Sequence, residues 1–159
     1  MGTHLYPIQQ AITGQESLGD RSRPEQALAE FYKALNSRDI ALLEQNWDNS
    51  AETVMDNPLG GIKRGWFEIR GVYERLFSTS ASYSFEFWDY TLHQNESVFW
   101  VIGRERGQLR LETTPLELAI RTTRLFRRAE GRWRQIHHHG SIDDPDMLAR
   151  YQAAVRPKG

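Results

Sequence analysis

A chain of 159 residues carries 39% hydrophobic and 26% charged residues, a formal net charge of -1 and no cysteine. That length suits one domain, and the composition excludes whole-chain disorder, thiol catalysis, disulfides and cysteine metal centres. The near-zero charge also excludes a general nucleic-acid binder, while 11% aromatic residues ask for a large core, an aromatic-walled cavity or an adhesive interface.

No apolar run approaches the roughly 20 residues of a membrane span. The N-terminal segment lacks the basic-then-apolar order of a signal peptide. Tyr6 stands where the myristoylation pattern following Gly2 and Thr3 wants Ser or Thr. The expectation is a soluble cytoplasmic protein without membrane contact.

Residues 1–21 read as a polar leader broken by Gly14 and Gly19, and residues 22–159 as a single domain. Ser22-Arg23-Pro24-Glu25 reads as a capping box, and Ala27, Phe31, Ala34 and Leu35 recur at helical spacing behind it, giving a first helix over 23–37. Asp39 caps a short second helix through Leu42, Leu43 and Trp47. Thr53-Val54-Met55 is extended, and Asn57-Pro58-Leu59-Gly60-Gly61 is a turn. A third helix with Trp66, Ile69, Tyr73, Leu76 and Phe77 on one stripe ends near Phe77.

Beyond Ser78 the period becomes two. Tyr83, Phe85 and Phe87 alternate with polar neighbours, and Val98, Trp100 and Ile102 follow after the Gln94-Asn95-Glu96 turn. Further strands cover 116–128 and 133–141, turned by Ala129-Glu130-Gly131. Asp143-Asp144-Pro145 opens a last helix with Leu148, Tyr151 and Val155 on its apolar side, and Pro157 and Gly159 close the chain. Segregated helices and strands mean α+β. Glu105, Arg106, Arg110 and Glu112 read as a solvated charge cluster at a strand end.

Three stretches carry a family resemblance: 31–39, with Phe31-Tyr32-Lys33; Met55-Asp56-Asn57-Pro58-Leu59-Gly60-Gly61, followed by Arg64-Gly65 and Ile69-Arg70; and 131–141, with Gly131-Arg132-Trp133 and His137-His138-His139. In this order and spacing, over about 24–142, the chain resembles the nuclear-transport-factor-2-like superfamily, which includes ketosteroid isomerases, SnoaL-like cyclases, scytalone dehydratases and the calcium/calmodulin-dependent kinase II association domain. The resemblance implies a cystatin-like cone: a curved antiparallel sheet around the helices, an apolar pocket with one mouth, and a homodimer through sheet faces.

It also implies which side chains point inward. On the last strand these are Ile136, His138 and Gly140, with Trp133, His137, His139 and Ser141 pointing outward; on the preceding strand they are Ile120, Thr122, Arg124 and Phe126. His138 is the sharpest candidate, since imidazole serves as acid, base or hydrogen-bond donor near neutral pH; the alternative is a wall histidine bonded to one neighbour. Asp56 and Asn57 sit where the isomerases place their base, but Asn57 occupies the position before Pro58. A one-residue shift turns Asp56 to the other face of the strand, and a turn carboxylate bonding local amides is its alternative role. Tyr73 matches a pocket tyrosine that orients an oxygen. Phe31 replaces the principal isomerase tyrosine and Thr122 its second carboxylate, which makes steroid isomerisation improbable. Arg124 matches a pocket arginine of the association domain and suits an anionic ligand, or else an ion pair with Asp56 or Glu117. Trp66 serves as pocket wall or core. His137 and His139 share a face, but no third ligand is evident, so no metal is expected. The two function classes are a cofactor-independent acid-base enzyme of isomerase, cyclase or dehydratase type, and a binding or association module without chemistry.

Overall fold

The computed structural model describes residues 4–112 and 114–156. Chain order runs β1 (His4–Ile8), α1 (Pro24–Ser37), α2 (Ile40–Asn46), β2 (Val54–Asp56), β3 (Ile62–Arg64), α3 (Trp66–Phe77), β4 (Ser82–Gln94), β5 (Val98–Leu111), β6 (Thr114–Ala129), β7 (Arg132–Ser141) and α4 (Pro145–Val155). The strands form one seven-stranded sheet in the order β1-β4-β5-β6-β7-β2-β3, so the fold is α+β as the sequence implies. No helix among the described residues is long and apolar enough to cross a membrane. The expected terminal features at Gly2, Thr3, Pro157 and Gly159 lie outside the described residues.

Strands β4 to β7 make a long antiparallel meander. The sheet bends because β5 carries Gly103 and Gly107. A Cβ at either position would run into β4, at Tyr90 for Gly103 and at Ser84 and Phe85 for Gly107. A bulge in β4 at Asp89, with φ of 49°, adds to the bend. The short strand β2 pairs antiparallel with β3 but parallel with β7, which sets Val54, Met55 and Asp56 beside His137, His138 and His139.

Helix α1 lays Ala27, Leu28, Phe31, Ala34 and Leu35 against the concave face, where Phe87, Phe99, Phe126 and Trp133 are fully buried. Phe99 and Phe126 stack at 4.5 Å between centroids, and Trp133 meets Phe99 edge-on at 5.0 Å. Asp39 caps α2 by accepting from the Leu42 amide at 3.0 Å, and Asp144 caps α4 with Pro145 in its first turn.

Two local readings change. The N-cap of α1 is Arg23, and no side chain caps it. The box over 22–25 does not form, because the Ser22 amide bonds the Asp20 carboxylate and the Ser22 carbonyl accepts the Trp133 indole. Within the leader, β1 pairs with β4 and Ile12 bridges to Phe87, so this segment lies along the sheet edge.

Candidate functional site

Between α1, α3, α4 and the concave face lies a cavity of about 50 Å³. Its walls are mostly apolar, and its polar groups include those of Asn57, Tyr73, Glu105, Arg124 and His138. Helix α4 contributes Tyr151, the turn after β2 contributes Pro58 and Leu59, and the Gln152 amide ties the two by donating to the Leu59 carbonyl at 3.0 Å. This volume holds only a few waters, whereas ligand pockets run from about 300 to 1,000 Å³. A larger compound therefore fits only if part of the wall shifts.

His138 points into this cavity. It is 5% exposed, and neither ring nitrogen has a hydrogen-bond partner. Burial, then the Arg124 cation, then His137 and His139, hold its imidazole well below the usual histidine range. At neutral pH the ring is uncharged, with one N–H to give and one lone pair to accept. Tyr73, on α3, packs with its ring centroid 6.4 Å from that of Phe31 and 6.5 Å from that of Trp47. Burial pushes its phenol up to about 12, so it remains a donor.

Beneath these groups a buried polar network forms the cavity floor. Arg124 lies over the Phe31 ring at 3.7 Å and donates to Glu105 at 2.9 Å and Gln135 at 2.7 Å. The Tyr32 hydroxyl donates to Glu105 at 2.6 Å. Gln135 continues to Asn46 at 3.1 Å, and Asn46 to Glu30 at 3.0 Å, where Arg21 and Arg132 reach from the rim. Burial works against the Arg124 charge, but Tyr32, Glu105 and Tyr73 outweigh it and hold the guanidinium above the ordinary arginine range. The carboxylate facing Arg124 is thus Glu105, not Asp56 or Glu117. Glu105 is 5% exposed in mid-strand, so it does not belong to a solvated cluster. Chain position alone gave no signal for Glu105, Tyr32 or Gln135, because all three are set by pairing across distant strands and α1.

The other candidates separate. Asn57 lines the cavity, with its Oδ1 turned to the Leu59 amide at 2.8 Å, and Phe31 lines it as the ring under Arg124. Thr122 is buried on the inward face with Ile120 and Arg124, but its hydroxyl donates to the Ile120 carbonyl at 3.3 Å. Trp66 lies off the cavity, stacked on Trp47 at 6.3 Å, and its indole donates to Glu44 at 3.2 Å. Ile136 does not point inward. Leu125 pairs with His137 and Phe126 with Gln135, so Ile136 is the extra residue of a bulge. That bulge reverses the alternation upstream, which is why Trp133 and Gln135 are buried, while His138 and Gly140 keep the expected inward facing and His137, His139 and Ser141 the expected outward one.

Asp56 faces away from the cavity, and its neighbour Met55 lines it. On the outer face the Asp56 carboxylate meets His139 Nδ1 at 3.3 Å. Asp56, His137 and His139 bring one ligand-capable atom each within 4.8 Å of one another. The third residue beside the two outward histidines, which the sequence did not reveal, is therefore Asp56.

Residues 25–145 match the family model of the SnoaL-like domain. No curated protein sequence matches the chain. Among solved structures, similarity reaches a Thiobacillus denitrificans protein provisionally described as a calcium/calmodulin-dependent protein kinase type II association domain, at 22% identity and TM-score 0.68 over 76% of this chain and 95% of that one. A provisionally described dehydratase of the nuclear-transport-factor-2-like family from Streptomyces avermitilis aligns at 19% identity and TM-score 0.70 over 77% and 95%. A provisionally described ketosteroid isomerase from Shewanella frigidimarina aligns at 15% identity and TM-score 0.62 over 74% and 93%. At these identities the solved structures establish the fold.

Proposed function

We propose that this chain, which belongs to the SnoaL-like domain family, takes a small, mostly apolar compound bearing a carbonyl or hydroxyl into the cone and moves a proton on it by acid-base chemistry. The observation that carries this reading is His138: a neutral imidazole, sealed in an apolar cavity, with both ring nitrogens unpartnered. Buried polar groups in folded proteins are nearly always satisfied, so two orphaned nitrogens facing a cavity argue for a bound partner.

In the proposed step a His138 ring nitrogen accepts the proton from the carbon next to a carbonyl. The C–H electron pair shifts toward the oxygen, and Tyr73 donates a hydrogen bond to the charge developing there. The imidazolium then returns the proton to another carbon of the substrate or to a departing hydroxyl. The first return is an isomerisation and the second a dehydration. A neutral substrate fits better than a carboxylate-bearing one, because Glu105 already answers the Arg124 charge. The proposal includes a homodimer through the outer sheet face, supported by the half-exposed Ile102 there.

The test is deuterium exchange. Small ketones and enones incubated in heavy water with the protein should gain deuterium next to the carbonyl. His138→Gln should remove that exchange, and Tyr73→Phe should slow it. Equal exchange by the wild type and His138→Gln would refute the catalytic role. The second reading, binding without chemistry, is supported by Asp56 facing outward, which leaves Glu105 as the cavity carboxylate, already bound to Arg124 and Tyr32. Under that reading a compound co-purifies, is displaced by His138→Gln, and is never altered.

A further inference from the structure

The outer face of the β2–β7 pair holds chemistry that the cavity does not use. Parallel pairing sets Asp56 beside His139 and Val54 beside His137. Strand alternation then sends Met55 and His138 inward and leaves Asp56, His137 and His139 together outside. We propose that these three side chains bind one divalent transition cation of the zinc class, with its remaining positions open to water.

Three observations support the site. First, the donor atoms lie within 4.8 Å of one another, and the Asp56 Oδ2 to His139 Nδ1 separation of 3.3 Å already matches the edge of a tetrahedron with metal bonds of about 2.0–2.2 Å. His137 supplies the third donor within the same 4.8 Å. Second, His137 Nδ1 lies 2.7 Å from the Val54 carbonyl. A carbonyl only accepts, so Nδ1 carries the hydrogen and Nε2 keeps its lone pair, which is the arrangement that orients metal-bound histidines. Third, Asp56 Oδ1 is shielded from solvent and has no hydrogen-bond partner, leaving an acceptor that a cation would satisfy.

The donor set also selects the ion. Two imidazoles and one carboxylate suit zinc and its neighbours over calcium or magnesium, which prefer oxygen throughout. Arg104 and Arg121 line the same outer groove, but each is already paired, with Asp89 at 3.0 Å and Asp143 at 2.9 Å. Their charges are thus offset before the ion arrives. Three protein ligands with open positions resemble a site that activates water rather than one that staples a fold.

Calorimetric titration of the metal-stripped full chain with zinc, near neutral pH, tests the site. The proposal expects one saturable ion per chain, and cobalt substituted there should give a visible absorption band from directly bound nitrogen and oxygen. Asp56→Asn and His139→Ala should each weaken zinc binding by at least about tenfold, with unchanged circular dichroism. His93→Ala, remote from the cluster in sequence and paired with Thr91, should leave it unchanged. Absence of saturable binding, or affinity that survives in the Asp56→Asn/His139→Ala double variant, would overturn the proposal. None of these readouts depends on the cavity or its ligand.

Discussion

An imidazole buried with two unpartnered nitrogens costs the empty fold on the order of 1–3 kcal/mol for each unsatisfied group, so the residue that serves the ligand should strain the apoprotein. His138→Leu is expected to raise the melting temperature of ligand-free protein while abolishing ligand binding. The pH dependence has a definite sign. Histidine in the unfolded chain titrates near 6.5, and His138 in the fold titrates well below it. Between the two values the unfolded state binds the extra proton, so stability is complete above about pH 6.5 and is lost as pH falls toward the folded value. Melting curves from about pH 7 to pH 5 should fall more steeply for the wild type than for His138→Leu. The Arg124–Glu105 pair behaves differently. Both side chains are buried, so Glu105→Gln should cost about 3–5 kcal/mol in denaturant unfolding, and Arg124→Met/Glu105→Leu should recover much of it. At this scale the sequence was partly legible. The inward facing of His138 and the flip of Asp56 are what the family resemblance implies once strand alternation is applied to it, from Pro58 and along the final strand. The outward turn of Ile136 and the burial of Trp133 depend on one inserted residue in β7, and composition carries no trace of a bulge.

Helix α4 closes part of the cavity wall through Tyr151. Tyr151 is buried over the cavity, and the helix is held by the Asp144 cap and the Gln152 bond to Leu59. Asp144→Ala should remove about 1 kcal/mol of helix stability and lower amide-exchange protection over 145–155, with protection in β5 and β6 unchanged. Tyr151→Ala should speed ligand association; an unchanged rate in both variants would mean that entry runs through another part of the mouth. Elements with a strong period were readable: α1, α3 and α4 from their apolar stripes, with Pro24 marking the start of α1 and Asp144-Pro145 that of α4, and β4 to β7 from alternation. Strands β1 and β3 were not. The first is exposed at Leu5 and Tyr6, and the second runs exposed, half-buried, exposed over three residues, so neither presents a buried stripe to detect. Their pairing is a property of the sheet edge rather than of their own residues.

For the whole molecule, the aromatic excess divides between the concave core, the cavity wall and the outer sheet. Phe87, Phe99, Phe126 and Trp133 fill the first, Phe31, Tyr73, Tyr83 and Tyr151 face the second, and Trp88 and Trp100 remain half-exposed on the third. If the outer face joins two copies, light scattering will give twice the chain mass, and Ile102→Glu will halve it without unfolding the protein. A monomeric wild type would rule out the dimer. We propose the cone as a ligand site built around a neutral His138. Its most direct test is a high-resolution crystal structure of the protein as purified or soaked with a compound that exchanges deuterium. Density is expected in the cavity with a polar atom about 2.7–3.2 Å from a His138 ring nitrogen, and Tyr151 displaced to make room. A cavity that stays closed, with both His138 nitrogens hydrogen-bonded to protein side chains, would contradict it.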